Sequence, residues 1–487
     1  MSSVRKSLAL SFAEKYSAIF IQFGATIILA RLLTPKQIGV FTVGAALISL
    51  VHTFRDFGIS NYLIQETSLT DAKVRTAFGV TLAVGLSIAA LLWLASDPIA
   101  DFYAEPGVRQ VVQVLATNFL LIPFGSVTLA LLRRELNFAA LYWINTVSNI
   151  VQVTVSIGLA LAGFGFMSLA WSALAGILAT VGLAFWYLPR TTVLLPSFEE
   201  FHSVFSFGVK SSAASFFFEL GYSAPDLVIG RVFGFEVAGL FSRAMGLALL
   251  FNRMVTDAVQ VVALPFFAAE RRAKNDRLKD SYFRTLSYLL GLAWPFYTFV
   301  ALMAFPIVYN LYGPQWTGAV PILRILCGSL ALGLIPTVSS MLLMSMGAVG
   351  ENMRARACWD LTKIFLVILA SFSSITAVAA CLGVANLVGF WIYHVFVRQG
   401  LGLELGAYAR VLSENALLAA TTGFVPLLVL IFADGSASPW VSLMLAAAGS
   451  AIVWLLGLHI LRHPLVTELQ LLRQQLFSSI RRQRMDT

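Results

Sequence analysis

Long apolar stretches, separated by short polar segments, recur along the chain from about residue 8 to about residue 461. An α-helix needs about 20 mostly apolar residues to cross the hydrocarbon core of a bilayer. The pattern predicts about fourteen such helices, at residues 8–31, 37–57, 74–95, 111–132, 140–162, 166–188, 203–223, 237–263, 284–310, 319–346, 356–376, 378–397, 413–433 and 439–461. The two spans after residue 356 are expected to join near Leu382–Gly383. The predicted fold class is therefore an all-α polytopic membrane protein.

Lysine and arginine concentrate in alternate connections between these stretches. Cytoplasmic loops of membrane proteins retain these residues, whereas translocated loops avoid them. With a cytoplasmic amino terminus, roughly 22 basic residues lie inside and about 4 outside, the latter being Arg31, Lys36, Arg109 and Arg231. A miscounted helix would disrupt this alternation, so the pattern favours fourteen spans with both termini in the cytoplasm.

An internal repeat with an offset of 200 residues relates two parts of the chain. The segment Ile28–Leu33, with Gly39 following, corresponds to Val228–Phe233 with Gly239 following. Chance similarity between short apolar motifs is the alternative, but an arginine and a glycine keep the same register in both copies. Because both copies begin on the same side of the membrane, the repeat is parallel and its pseudo-twofold axis lies along the membrane normal.

The repeat predicts four segments. These are an N-terminal six-helix bundle at 1–200, a pseudo-symmetric C-terminal six-helix bundle at 201–400, helices thirteen and fourteen at 401–462, and a basic amphipathic tail at 463–487. Such a tail is suited to an anionic cytoplasmic leaflet. A cavity between the two bundles is the expected substrate site.

The composition excludes several classes of protein. Of 487 residues, 59% are hydrophobic and 12% are charged, which is more apolar side chain than a soluble core could bury, so the excess faces membrane lipids. The net charge of +9 is accounted for by the inner loops and the tail, and no nucleic-acid partner is expected.

No catalytic or cofactor-binding constellation is present in the sequence. The five histidines are scattered without metal-ligand spacing, so no metal site is expected. A phosphate-binding glycine loop with lysine is also absent, so ATP hydrolysis is not encoded. Transport is expected to run on a proton or sodium gradient, on the membrane potential or on the gradient of the substrate itself.

Ionisable residues inside membrane spans are energetically costly and therefore indicate functional sites. The cations selected as ligands for a diphosphate are Lys210, Arg243, Arg253, Arg31 and Arg231. Guanidinium offers a bidentate fork to phosphate oxygens and ammonium offers a compact charge. Two alternatives stay open: Arg31 and Arg231 can extend to the interface, and Arg253 can pair with Asp257 four residues later.

Intramembrane carboxylates are the candidates for proton or sodium coupling. They are Glu14, Asp56, Glu219, Asp226 and Asp257, and the sequence does not choose among them. A structural role is the alternative for Glu14, which can pair with Lys15 or reach the inner surface.

Several short motifs in a fixed order resemble a known family. They are Leu29-Ala30-Arg31-Leu32-Leu33-Thr34-Pro35, Asp56-Phe57-Gly58, Leu132-Arg133-Arg134-Glu135-Leu136-Asn137-Phe138, Asp226 with Ile229-Gly230-Arg231, Gly239 with Arg243-Ala244, and Gly313-Pro314-Gln315-Trp316. Taken together, the chain resembles the polysaccharide transport family of oligosaccharide flippases. This family belongs to a superfamily that also contains multidrug and toxin extrusion antiporters and lipid II flippases.

The resemblance implies a substrate and a location. It implies a flippase that works by alternating access in a bacterial inner membrane. Its passenger would be an undecaprenyl-diphosphate-linked oligosaccharide repeat unit for lipopolysaccharide, capsule or exopolysaccharide. Glycosyltransferases and the polymerase of the same pathway are the implied partners.

The sequence leaves three alternative functions open. A cation-coupled multidrug antiporter would favour an acidic, aromatic cavity over the basic one expected here. A membrane-bound polysaccharide polymerase or ligase would need a large outer loop, and the predicted outer loops are short. A lipid II flippase differs only in the head group that it carries.

Overall fold

The computed structural model of the chain describes residues 2–55, 59–188, 195–197, 199, 201–273, 277–432, 438–468, 470 and 474. Side chains are described from residue 10 onward, except at 55, 59–61, 202–215 and 217. Every regular element in these ranges is helical, which confirms the predicted all-α class. The helices form two compact units.

The first unit contains Met1–Arg243 and Val367–Ile375. Its helices are α1 (Ser2–Leu32), α2 (Pro35–Arg55), α3 (Ile59–Gln65), α4 (Asp71–Tyr103), α5 (Pro106–Arg134), α6 (Phe138–Leu161), α7 (Met167–Tyr187), α8 (Phe201–Val232) and the greater part of α9 (Phe235–Ala248).

The second unit contains Ala244–Leu366 and Thr376–Thr487. A π-helical turn at Asn252–Thr256 precedes α10 (Asp257–Arg272), and then follow α11 (Leu278–Leu302), α12 (Ala304–Leu311), a 3₁₀ turn at Pro314–Trp316, α13 (Ala319–Ser345), α14 (Val349–Ser371), α15 (Ile375–Leu401), α16 (Leu405–Phe432) and α17 (Pro439–Ile460). The predicted bundles at 1–200 and 201–400 stay predictions, and most of the tail predicted at 463–487 lies outside the described residues.

Within the described ranges, eleven helices, including the continuous stretch Phe235–Arg272, are long and apolar enough to cross a membrane. Three more, α1, α8 and α14, contain 31, 32 and 23 residues, which is long enough to cross at 1.5 Å per residue. Each of the three carries charged residues within its length, which lowers its hydropathy. The chain is thus a multi-pass membrane protein, while the count of fourteen remains a prediction.

Local signals explain where several helices begin and end. Thr70 caps α4 by accepting a hydrogen bond from the Lys73 amide, and Asn137 caps α6 through the Ala140 amide. Ala104 ends α4 in the left-handed region, at φ 52°. Between spans, the Lys73 Nζ lies 3.1 Å from the Glu66 carboxylate, and this hydrogen bond holds the pKa of Glu66 below its usual value.

One buried apolar cluster of the first unit lies where α3, α4 and α5 meet. Leu63 and Phe78 are buried there with Val127. Arg134, at the end of α5, donates to the backbone oxygens of Leu63 at 2.7 Å and Glu66 at 2.6 Å. Backbone groups at a helix end lack intrahelical partners, so this arginine ties the end of α3 to α5.

The second unit is held by a buried hydroxyl network as well as by apolar packing. The Tyr282 hydroxyl lies 2.8 Å from Ser339 Oγ and 3.1 Å from the Tyr408 hydroxyl, joining α11, α13 and α16. Buried polar groups are costly unless they are hydrogen-bonded, and these three satisfy one another.

The junction predicted near Leu382–Gly383 is wrong. Helix α14 ends at Ser371 and α15 begins at Ile375, so the turn lies at residues 372–374. Gly383 is instead inside α15, where a Cβ atom would stand 3.0 Å from Ser329 Oγ on α13. This glycine permits close packing of the two helices, as small residues do in membranes. The sequence alone does not distinguish a glycine used for packing from one used in a turn.

Candidate functional site

Five helices of the first unit, α1, α2, α5, α6 and α7, surround a cavity of about 500 Å³. This volume is within the range of roughly 300–1,000 Å³ found for ligand pockets. Polar side chains line much of it, including Glu14, Lys15, Asn118, Asn145 and Asn149. A polar cavity inside a unit that otherwise presents apolar helices to lipid is the candidate functional site.

A second cavity of about 320 Å³ adjoins the first. Phe41, Asn149 and Gln152 line both cavities, so the two are neighbouring parts of one polar region. The second part reaches α9, where Ser242 and Arg243 line it. Along α1 the lining runs from Glu14 to Leu29, which corresponds to about 22 Å of helix.

Hydrogen bonds between α1 and α6 fix part of the cavity wall. Asn145 Nδ2 donates to Glu14 Oε1 at 2.6 Å, and Gln22 Nε2 donates to Asn149 Oδ1 at 3.4 Å. Glu14 therefore lies in the cavity wall, where its carboxylate orients Asn145. Its role in ion coupling stays a prediction.

The sequence prediction missed the polar residues of α6, because it considered only ionisable side chains and these residues are neutral. Asn145, Asn149 and Gln152 are spaced by four and three residues in an otherwise largely apolar helix, which places them on one helical face. That spacing was the available signal.

The predicted cations lie in different environments. Arg243 lines the cavity, whereas Arg31, Arg231 and Arg253 are exposed. The Arg231 guanidinium lies 5.1 Å from the centre of the Phe102 ring, and neither Arg31 nor Arg231 lines the two cavities. The Lys210 side chain lies outside the described residues.

The predicted carboxylates also lie at different places in the structure. Glu219, partly buried on α8, accepts a hydrogen bond from Ser223 at 3.1 Å, and Ser223 lies 2.9 Å from Ser49 on α2. Asp226 has a buried Oδ1 with no hydrogen-bond partner among the described residues. Asp257, in the second unit, is partly buried at the start of α10, and Asp56 lies outside the described residues.

Helices α2 and α9 cross at two glycines that the repeat aligns. A Cβ atom on Gly39 would overlap the backbone oxygen of Phe235, and one on Gly239 would overlap the backbone oxygen of Pro35. Only glycine permits backbones to approach so closely. The two contacts are reciprocal, because Pro35 and Phe235 are themselves separated by 200 residues.

A third contact at this crossing joins another pair with the same offset. Thr42 Oγ1 donates to Ser242 Oγ at 3.2 Å. Thr42 and Ser242 both line the second cavity. The crossing therefore borders the polar region at its Arg243 end.

Comparison with protein families gives a match over residues 28–321, to the family described as polysaccharide biosynthesis protein. Two similar proteins are the lipopolysaccharide biosynthesis protein WzxC of Escherichia coli K12 and the succinoglycan biosynthesis transport protein ExoT of Rhizobium meliloti. The first is 26% identical over 469 residues, covering 91% of each chain. The second is 27% identical over 348 residues, covering 69% of this chain and 68% of the other.

Among solved structures, the lipid II flippase MurJ in an inward closed conformation has the same fold. The superposition has a TM-score of 0.77 at 13% sequence identity and covers 94% of this chain and all of the other. At that identity the likeness concerns the fold alone.

Proposed function

Since the chain belongs to the polysaccharide biosynthesis protein family, a family of flippases, we propose that it carries undecaprenyl-diphosphate-linked oligosaccharide repeat units across the bacterial inner membrane. It is a secondary transporter and not an enzyme. The passenger moves from the cytoplasmic to the periplasmic leaflet and supplies surface polysaccharide synthesis. Its pathway partners are the glycosyltransferases that build the unit and the polymerase that uses it.

The observation that carries the proposal is the polar region in the first unit. A passenger with a diphosphate and sugars needs a hydrated path, because its polar head would lose its hydrogen bonds in hydrocarbon. The two adjoining cavities supply such a path, with Glu14 near one end and Arg243 at the other. Lipid tails need no such path and can remain in the bilayer.

Arg243 is the residue that we assign to the diphosphate. Of the predicted cations with described side chains, it is the one that lines the cavity. An arginine can hold two phosphate oxygens at once. Lys210 stays a proposed second ligand, whereas the exposure of Arg31, Arg231 and Arg253 favours contact with the interface over contact with the passenger.

The crossing of α2 and α9 supports alternating access by two related halves. Contacts between residues i and i+200, repeated reciprocally, are the signature of a twofold axis at an interface. We infer that the pseudo-twofold axis of the parallel repeat passes between Gly39 and Gly239. Coupling to protons or sodium is proposed through Glu14 or Asp226, since Glu14 lines the cavity and Asp226 carries a buried oxygen.

Replacement of Arg243 by alanine tests the assignment. Loss of charge-assisted hydrogen bonds worth about 1.5–3 kcal/mol should lower passenger affinity by about 10- to 150-fold. We expect lipid-linked oligosaccharide to accumulate on the cytoplasmic side, as it should when the gene is deleted. Mass spectrometry of lipid extracts, with periplasmic labelling of exposed sugars, measures this.

The matched control is Arg109→Ala. Arg109 pairs with Asp97 at 2.9 Å, and both side chains are more than half exposed, so translocation should be unchanged. Normal translocation by Arg243→Ala would remove the site assignment. A deletion strain without accumulated lipid-linked oligosaccharide would remove the proposed function itself.

A further inference from the structure

One wall of the cavity is neutral and consists of hydrogen-bonding side chains. Asn145, Asn149, Gln152 and Ser156 lie on α6 and all line the polar region. Their spacing of four, three and four residues keeps them on one face of the helix. We refer to these four residues, together with Asn118 of α5, as the amide wall.

Two members of the amide wall each carry a buried polar atom for which the described residues supply no hydrogen-bond partner. Asn118 and Ser156 are each 3% exposed. Asn118 Oδ1 and Ser156 Oγ have no hydrogen-bond partner among the described residues. Buried polar atoms in proteins are nearly always hydrogen-bonded, because leaving one unsatisfied costs about 1–3 kcal/mol. Asn118 lines the first cavity and Ser156 lines the second, so a ligand in the polar region would lie beside these two residues.

The chemistry of the wall differs from that of Arg243. Asn118 Oδ1 accepts hydrogen bonds only, so its partner must be a donor. Ionised phosphate has acceptor oxygens and cannot satisfy it, whereas a sugar hydroxyl both donates and accepts. Arg243, which lines the second cavity together with Ser156, offers donors only, which suits phosphate.

The charges around the wall point the same way. Glu14 and Lys15, which line the same cavity, carry opposite charges and give that end little net attraction for an anion. His52 is the other ionisable residue that lines this part. The electrostatic attraction for a phosphate is thus concentrated at Arg243, whereas the amide wall beside it carries no charge.

We propose that the amide wall is the sugar subsite of the passenger and that it adjoins the diphosphate site at Arg243. This inference rests on the proposed function. Asn118, Asn149 and Ser156 hydrogen-bond to sugar hydroxyls, while Asn145 is held in position by Glu14 at 2.6 Å. Thr180 Oγ1, which donates to Ser148 Oγ at 2.9 Å, supports the wall from α7.

The test compares two lipids on the purified full-length chain. One probe is undecaprenyl diphosphate, which has no sugar. The other is the lipid-linked oligosaccharide extracted from cells in which this gene has been deleted. Affinities are measured by intrinsic tryptophan fluorescence in nanodiscs. The variants are Asn118→Leu, Asn149→Leu and Arg243→Gln, with Gln110→Leu as the control because Gln110 is an exposed amide on α5.

The wild-type chain should bind the sugar-bearing lipid at least about tenfold more tightly than undecaprenyl diphosphate, since each 1.4 kcal/mol of hydrogen bonding is a factor of ten in affinity. Asn118→Leu and Asn149→Leu should each reduce this ratio several-fold and leave the affinity for undecaprenyl diphosphate unchanged, which also shows that the variants are folded. Arg243→Gln should lower the affinity for both lipids by the same factor. Gln110→Leu should change neither affinity.

Three outcomes overturn the subsite. They are a wild-type chain with no preference for the sugar-bearing lipid, leucine variants that keep the full preference, and leucine variants whose affinities for the two lipids fall equally. In these cases binding of undecaprenyl diphosphate by the wild-type chain would still support the proposed function. A wild-type chain that binds neither lipid would contradict the proposed function itself.

Discussion

At the scale of single residues, burial changes what a side chain does. His463, just after α17, is 2% exposed, and its Nε2 lies 2.9 Å from Ser287 Oγ on α11. Five residues later, Glu468 accepts a hydrogen bond from Tyr288 at 3.0 Å. Desolvation lowers the pKa of His463 to about 4. The segment that follows α17 is therefore docked on α11 by a histidine that is neutral at pH 7.

The buried histidine predicts a pH dependence of stability. In the unfolded chain the histidine has a pKa of about 6.5, so it binds a proton more readily than in the folded chain. Stability from this group is complete above about pH 6.5 and falls as the pH drops toward 4. Thermal melting of the detergent-solubilised protein between pH 7.5 and 4.5 should show this fall.

The comparison for this prediction is His463→Gln, which cannot take up the proton. Its melting temperature should decline less than that of the wild-type chain over the same interval. His459→Gln, four residues earlier at an exposed position, should follow the wild-type curve. Parallel decline of His463→Gln and wild type would show that His463 is not responsible.

At the scale of helices, contact between α2 and α9 depends on two positions without side chains. Gly39 lies against the Phe235 carbonyl and Gly239 against the Pro35 carbonyl. A backbone carbonyl cannot move aside as a flexible side chain can, so the helices must separate if either glycine is enlarged. The same helices border the cavity through Thr42 and Ser242, so their separation would also change the cavity.

Gly39→Ala is expected to destabilise the protein by about 1–3 kcal/mol, the typical cost of overpacking. Gly246→Ala is the matched control on α9, because no atom lies within 4 Å of the position a Cβ would take there. Alanine in an open helical position should stabilise by about 0.5–1 kcal/mol. Unfolding in detergent measures both, and equal stability of the two variants would contradict the close crossing.

At the scale of the whole molecule, the alternation of basic loops predicts which side each connection faces. Eleven helices in the part of the chain that the structure describes are apolar and long enough to span a membrane, and α1, α8 and α14 are long enough. If all fourteen cross, the connection after α3 is cytoplasmic and the one after α14 is periplasmic. Ser68 and Ser373 are exposed residues in these two connections.

Single-cysteine variants Ser68→Cys and Ser373→Cys, made in a chain without its native cysteines, test this orientation. A membrane-impermeant maleimide should label residue 373 in intact spheroplasts, and residue 68 only after the membrane is permeabilised. The reverse pattern would mean an inverted protein. Labelling of both residues from the same side would mean a miscounted helix between them.

The sequence determined the helical class, the multi-pass membrane character and the family. Apolar stretches of spanning length can satisfy their backbone only as helices when they lie in lipid, so that conclusion does not depend on how the helices pack. The repeat at an offset of 200 residues was also visible, because matching arginines and glycines need no structure to be recognised. Gly39 and Gly239 were found in this way.

Only the tertiary structure decided which polar residues share a cavity. Arg243 and Arg231 look alike in sequence, yet one lines the polar region and the other stacks on Phe102 at an exposed helix end. Asn145 meets Glu14 across 131 residues, and neither Asn118 nor Asn149 carries a charge that would single it out. Helix packing sets these neighbours, because a side chain's environment depends on the rotation and separation of its helix relative to the others.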